Sequence, residues 1–259
     1  MTPEQESRYS RHILLAQIGR QGQEKLLAAR VLVVGMGGLG SPVAMYLAAS
    51  GVGHLVLTDF DIVELSNLQR QIIHHTDDVG ENKVESARAA IHDLNPGVRV
   101  SALPRALEGD ELAREVEAAD VVVDACDNFE SRFELNALCW RLGTPLVSAA
   151  AMRMEGQVTV FDPRQADSPC YRCLYSDDST EGEACSQVGV LAPLLGIVGS
   201  IQATEAMKLI IGMGKTMVGR VLVIDALDME LRTLRLRKDP HCPVCAGASA
   251  SRACGVMGA

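Results

Sequence analysis

The stretch "RVLVVGMGGLGSPVA", residues 30–44, decides the reading of this chain. A short apolar run ends in glycine, Gly35 to Gly40 fit G-x-G-x-x-G, and a helical segment follows whose early Pro42 suits a first turn. Strand, glycine loop and helix together make a phosphate cradle. Gly35 permits the tight turn, Gly37 and Gly38 let backbone N–H groups approach an anion, and Gly40 lets the helix pack on the sheet. The loop does not distinguish NAD from ATP.

Working outward, strands alternate with helices. Residues 54–61 ("HLVLTDFD"), 98–103 ("VRVSAL"), 120–128 ("DVVVDACDN") and 145–151 ("PLVSAAA") read as strands, and 81–97, 109–119 and 129–143 as helices. This rhythm predicts an α/β fold, a doubly wound, Rossmann-like and mainly parallel sheet. Such sheets bind ligands at the C-terminal strand ends, which marks Gly35–Gly40, Asp59, Asp61, Asp124, Asp127 and Asn128. After residue 151 the rhythm changes. "GQVTVF" and "GRVLVIDA" read as strands of a C-terminal mixed extension, with a long helix over 191–211 between them.

Composition narrows the classes. The chain has 259 residues, 47% of them hydrophobic but only 3% aromatic, as suits the aliphatic strands of a buried parallel sheet. A net charge of −9 without a basic run argues against nucleic acid or an anionic membrane as partner. The first residues lack an apolar signal core, and the most apolar stretch, 188–211, carries Gln202, Glu205 and Lys208, so it reads as a buried helix rather than a span. A cytoplasmic location is expected.

Several residues carry chemistry. Asp59 stands where a ribose-binding carboxylate belongs. Asn67, Arg70 and Lys83 follow it, and Asp127 closes the fourth strand. Singly these read as surface charges and a helix cap. Together, at the strand ends of one sheet, they favour ATP, which needs cations on its triphosphate and a carboxylate for Mg²⁺. Two C-x-x-C pairs, Cys170/Cys173 and Cys242/Cys245, supply four thiolates for one closed, structural zinc knuckle; a redox dithiol and disulfides are the alternatives. Cys185, in the polar "DDSTEGEACSQVG", is either an accessible thiol or an incidental loop cysteine. Cys126 and Cys139 read as small core residues, and Cys254 lies in the unpatterned tail. Arg8 and Arg11, in "SRYSRH", read as surface arginines.

The combination of "RYSRH", "GMGGLGSPVA", "DFDIVELSNLQRQ", "GENKVESA", "DACDN", "MRMEGQVTVFD", "PCYRCL", "GVLAPLLGIVGSIQATEAMKL" and "CPVC" closely resembles the MoeB/ThiF/HesA family, bacterial relatives of ubiquitin-activating enzymes. The resemblance runs from about Glu6 to Gly247. It implies a single ThiF-like domain over 1–247, with a nucleotide-binding half (about 1–150) and a carrier-binding and zinc half (about 151–247), followed by a flexible tail over 248–259. It implies a homodimeric adenylyltransferase that uses ATP with Mg²⁺ on a ubiquitin-like sulfur carrier ending in Gly-Gly. The carrier carboxylate attacks the α-phosphate, giving acyl-adenylate and pyrophosphate ahead of thiocarboxylate formation. By the same resemblance the glycine loop holds the phosphates and Asp59 the ribose. Asn67, Arg70 and Lys83 contact the triphosphate, Asp127 positions Mg²⁺, and Arg11 is offered across the dimer. Cys170, Cys173, Cys242 and Cys245 hold zinc. Cys185 matches a loop cysteine that the thiamin branch can link to its carrier, and its role here stays open. No sulfurtransferase motif follows the knuckle in this sequence, and a separate protein is expected as the sulfur donor. "ADSPCYRCLY" and "AAMRMEGQVTVF" lean to the molybdopterin branch, with thiamin biosynthesis as the alternative. Two other classes compete. An NAD-dependent oxidoreductase leaves Arg70, Lys83 and Asp127 without a task, and a non-catalytic zinc-stabilised scaffold needs none of them.

Overall fold

The central strands of the parallel core are apolar on both faces, and the period of two sends neighbours to opposite layers. Val31 and Val33 of β1 (Arg30–Val34) enter one core and Leu32 the other, while Val121/Val123 and Val122 of β4 (Val121–Asp124) divide the same way. Both layers therefore need helices, and the chain supplies them. The computed structural model describes residues 1–175 and 189–246. Cys185, Cys254 and the tail over 248–259 lie outside the described residues.

Eight strands form one sheet in the order β3-β2-β1-β4-β5-β6-β7-β8. β1, β2 (His54–Thr58), β3 (Arg99–Leu103), β4 and β5 (Leu146–Met152) run parallel. β6 (Glu155–Phe161), β7 (Arg220–Asp225) and β8 (Glu230–Arg235) continue the sheet antiparallel. One face carries α3 (Gly19–Ala28), α4 (Gly40–Ala49), α5 (Lys83–Leu94) and α8 (Ala192–Ile211); the other carries α6 (Gly109–Glu117) and α7 (Phe129–Leu142). Strand order reverses between β1 and β4, which opens a crevice at their C-terminal ends.

α8 is long and apolar enough by composition to cross a membrane. It instead lies in the core against α4, β5 and β6, as its Gln202 and Glu205 foretell, and both of those side chains are buried with hydrogen-bond partners.

The observed elements differ from the sequence reading in three places. The first 28 residues form α1 (Pro3–Arg8), α2 (Ser10–Ile13) and α3, where no element was expected. β8 was also unforeseen, because all six of its residues are exposed and no apolar face marks it. β2 stops at Thr58 and β4 at Asp124, so Asp59, Asp61, Asp127 and Asn128 sit on the loops beyond the strands.

Two glycines separate close packing from open space. A Cβ on Gly53 would stand 1.8 Å from the Leu27 carbonyl oxygen, whereas one on Gly196, inside α8, would meet nothing within 4 Å. Gly53→Ala is expected to lower Tm by several degrees, from an overpacking cost of about 1–3 kcal/mol. Gly196→Ala is expected to hold or raise Tm, because a helical Ala gains about 1 kcal/mol over Gly. Thermal unfolding of both variants checks this, and equal losses would contradict it.

Candidate active site and cysteine cluster

The crevice is a cavity of about 850 Å³. Gly35, Gly37, Gly38, Asp59, Asn67, Arg70, Lys83 and Asp127 all line it, so the fold brings these expected site residues together. Gly40 starts α4 behind the loop, and a Cβ there would stand 2.0 Å from the Gly35 carbonyl oxygen. Gly35 has φ +96° and its own Cβ would strike the Ala125 carbonyl at 2.6 Å. Packing thus demands glycine at both. At Gly37 it does not: a Cβ would meet nothing nearer than 3.7 Å. Among the described residues, no acceptor takes the N–H of Gly37 or Gly38. Two free N–H groups facing a cavity at a helix start are what an anion requires.

The loop is pinned from below. Asp59 accepts the Met36 N–H at 2.7 Å through one oxygen and the Asp61 N–H at 2.8 Å through the other. His74 approaches the Met36 carbonyl at 3.1 Å. The Lys83 ammonium, on a side chain only 7% exposed, pairs with Asp61 at 2.6 Å. Asn67 closes its own turn by accepting the Glu64 N–H at 3.1 Å, and Arg70 reaches back to the Ser66 carbonyl at 3.0 Å. Asp127 is exposed, and its neighbour Asn128 caps α7 by accepting the Ser131 N–H at 2.9 Å. The cap reading thus belongs to Asn128, leaving the Asp127 carboxylate directed to other work. Arg11, exposed on α2, does not line the cavity of its own chain.

Several residues were missed. Arg132, on α7, lines the cavity while buried, donates to the carbonyls of Cys126 and Ala149, and stands 3.8 Å from the Asp124 carboxylate. Ser148 and Gln202 also bind Asp124, at 2.6 and 2.8 Å, so the end of β4 is held on three sides. Gln71 lines the cavity with a buried, unpartnered carboxamide oxygen. Gln202 had a signal, a polar residue inside an apolar helix; Arg132 had none that distinguished it from a surface arginine. Cys126 lies at the cavity's base, where burial pushes its thiol well above the usual range and keeps it protonated and unreactive.

Charge sets the chemistry. Among the described residues, Asp59, Asp61, Glu108, Asp127, Glu130 and Glu134 line the cavity, against Arg70, Lys83 and Arg132. A polyphosphate entering here needs added cations, and the spare carboxylates are hard oxygen ligands suited to Mg²⁺.

The four expected zinc ligands converge elsewhere. The Sγ atoms of Cys170, Cys173, Cys242 and Cys245 lie within 4.8 Å of one another, with Cys170–Cys242 at 3.6 Å and Cys173–Cys245 at 3.4 Å. Tetrahedral Zn–S bonds of about 2.3 Å place sulfurs about 3.8 Å apart. Burial and the neighbouring Cys173 and Cys242 push the Cys170 thiol up to about 12, so a dication is needed to draw off its proton. These residues fit a closed metal site. It joins residues 242–245 to the turn at residues 170–173, packed with Trp140 and with Lys238 over that ring.

The model of the ThiF family matches residues 9–244. The SAMP-activating enzyme E1 of Haloferax volcanii is 50% identical over 240 residues, covering 92% of this chain and 88% of that protein. The molybdopterin-synthase adenylyltransferase of Escherichia coli is 46% identical, covering 92% and 95%, and the sulfur carrier protein ThiS adenylyltransferase of the same organism 44% identical, covering 94% and 96%. The crystal structure of E. coli MccB with MccA-N7isoASN superposes with a TM-score of 0.81 at 25% identity, covering 93% of this chain and 74% of that one.

Metal analysis of the purified protein is expected to find one zinc per chain. Cys242→Ser should lose it and lower Tm by several degrees, since a closed site contributes its binding energy to folding. Zinc retained at full stoichiometry in that variant would contradict the assignment.

Proposed function

Because this chain belongs to the ThiF family, we propose that it is an ATP-dependent adenylyltransferase acting on the C-terminal glycine carboxylate of a ubiquitin-like sulfur carrier. The observation that carries this is the meeting of two free loop N–H groups, Arg70, Lys83 and Asp127 around one cavity. NAD leaves that set without a task, and a scaffold has no need of it.

The chain's residues divide the work. The N–H groups of Gly37 and Gly38 receive phosphate oxygens, and Arg70 and Lys83 face the rest of the triphosphate. Asp59 is the ribose-facing carboxylate. Asp127 would hold Mg²⁺, which would supply charge shielding for a reaction between two anions. A carrier carboxylate oxygen bonds to the α-phosphorus, the bond to the pyrophosphate oxygen breaks, and a mixed acyl–phosphate anhydride remains. AMP is then a good leaving group for a sulfur nucleophile brought by a separate donor.

Among the described residues, the cavity's acids outnumber its basic side chains, so a further cation would favour an entering polyphosphate. We assign it to Arg11 of a second copy. Arg11 is the exposed residue of α2, and Leu14 and Leu15 just beyond that helix are 74% and 49% exposed, an apolar rim suited to a homodimer contact. One sheet and one shared core running through both halves support reading 1–247 as a single unit. The free cysteines among the described residues suit a reducing cytoplasm. For the pathway, the molybdopterin-type carrier is the leading substrate; the 44% identity to a ThiS adenylyltransferase keeps the thiamin-type carrier as the second reading.

Two outcomes follow from the roles assigned. Carrier-dependent ATP–pyrophosphate exchange should fall about hundredfold or more in Asp127→Ala without loss of folding. Exchange at wild-type rate in that variant would contradict the Mg²⁺ role. Arg11→Ala should be similarly weak, yet mixing it with Asp127→Ala should recover exchange, because one site of each mixed dimer is then intact. No recovery on mixing would contradict an arginine supplied across the dimer.

A further inference from the structure

Beneath the glycine loop runs a polar chain that the proposed reaction does not use. Asp78 accepts from the Ser86 hydroxyl at 2.7 Å, Ser86 lies 2.7 Å from His74 Nδ1, and His74 Nε2 lies 3.1 Å from the Met36 carbonyl oxygen. His74 and Ser86 are 5% and 2% exposed. A buried, titratable ring thus ends directly on the second residue of the G-x-G-x-x-G loop.

That contact aims the loop. Every peptide here is trans, so the Met36 C=O and the Gly37 N–H point in opposite directions. Drawing the Met36 carbonyl down to His74 turns the Gly37 N–H up into the cavity, where no acceptor among the described residues takes it. Asp59 fixes the other side of the same residue through the Met36 N–H.

Counting protons adds a second point. Asp78 is an ionised acceptor: burial would raise it, but the His75 N–H and the Ser86 hydroxyl outweigh that and hold it low. The Met36 carbonyl is also acceptor only. Three links between two pure acceptors need three protons. Ser86 brings one, and a neutral imidazole brings one more. With neutral His74 one short contact has no hydrogen in it; with imidazolium all three links are made. In the free protein, burial holds His74 below its ordinary value; the Met36 carbonyl opposes this, Lys83 reinforces it, and Asp78 and Asp59 oppose it. An arriving triphosphate adds negative charge one peptide plane away.

We infer that His74 is a positioning residue for the nucleotide, and that it takes up a proton from solvent when the triphosphate binds, completing the Asp78–Ser86–His74–Met36 chain. This rests on the nucleotide reading of the cavity. The sign follows: binding draws in a proton, so affinity should strengthen as pH falls from 8 towards 6, by at most about tenfold per unit for one proton.

Calorimetric titration of the full-length protein with Mg²⁺ and a non-hydrolysable ATP analogue, in two buffers of different ionisation enthalpy, counts the protons. The wild type should take up a fraction of one proton near pH 7.5. His74→Gln can still donate to the Met36 carbonyl but cannot titrate, so uptake should vanish while affinity falls about tenfold. Should that variant fail to fold, ¹⁵N spectra of the wild-type His74 ring carry the same test. One pyridine-type nitrogen is expected in the free protein, and two protonated nitrogens in the complex. Analogue binding without proton uptake, or uptake unchanged in His74→Gln, overturns the inference and leaves the nucleotide reading intact. No analogue binding at any pH overturns both.

Discussion

The Asp59 carboxylate ties together the two loops on which the cavity depends. One oxygen takes the Met36 N–H of the glycine loop and the other the Asp61 N–H. Asp61 in turn holds the Lys83 ammonium at the start of α5. A single side chain at the end of β2 therefore sets the height of the phosphate loop and, through Asp61, the place of a buried cation. The loop has no slack to find another position, because Gly40 and Gly35 pack against carbonyl oxygens too closely for any Cβ. A ribose bound at Asp59 would meet a carboxylate already oriented by two backbone donors.

The cavity is built to be incomplete. On the proposed reading, a site so rich in carboxylates would repel a triphosphate and a carrier carboxylate unless Mg²⁺ and a further cation neutralised them. Metal and a second copy would then be conditions for binding rather than additions to it, which would give a physical reason for an exposed arginine such as Arg11 to stand outside the cavity of its own chain. The cysteine cluster follows a different logic. Three of its four thiols are buried, all four lie close together, and they join residues 170–173 to residues 242–245.

The parallel half of the fold was legible because its strands are short apolar runs with turn signals at each end. The glycine loop was legible because steric demands at Gly35 and Gly40 leave no other residue type. The C-x-x-C pairs announced themselves by spacing alone. β8 was not legible, since a strand exposed along its whole length, "ELRTLR", carries no burial pattern. The second layer of the site was hidden for a related reason. Arg132, Ser148 and Gln202 converge on Asp124 from α7, β5 and α8, and nothing in local sequence shows that three distant polar residues share one carboxylate and its carbonyl. His74 was equally silent, because its partner is a main-chain carbonyl 38 residues away.

The central claim is that this chain transfers adenylate to a carrier's terminal carboxylate. Intact-mass analysis of a molybdopterin-type and a thiamin-type carrier, each incubated with the protein and MgATP and quenched in acid, tests it most directly. The account predicts that one carrier gains the mass of a single adenylyl group, confined to its C-terminal glycine and absent when the Gly-Gly tail is removed. A carrier that binds the protein in the presence of MgATP yet stays at its unmodified mass would contradict it.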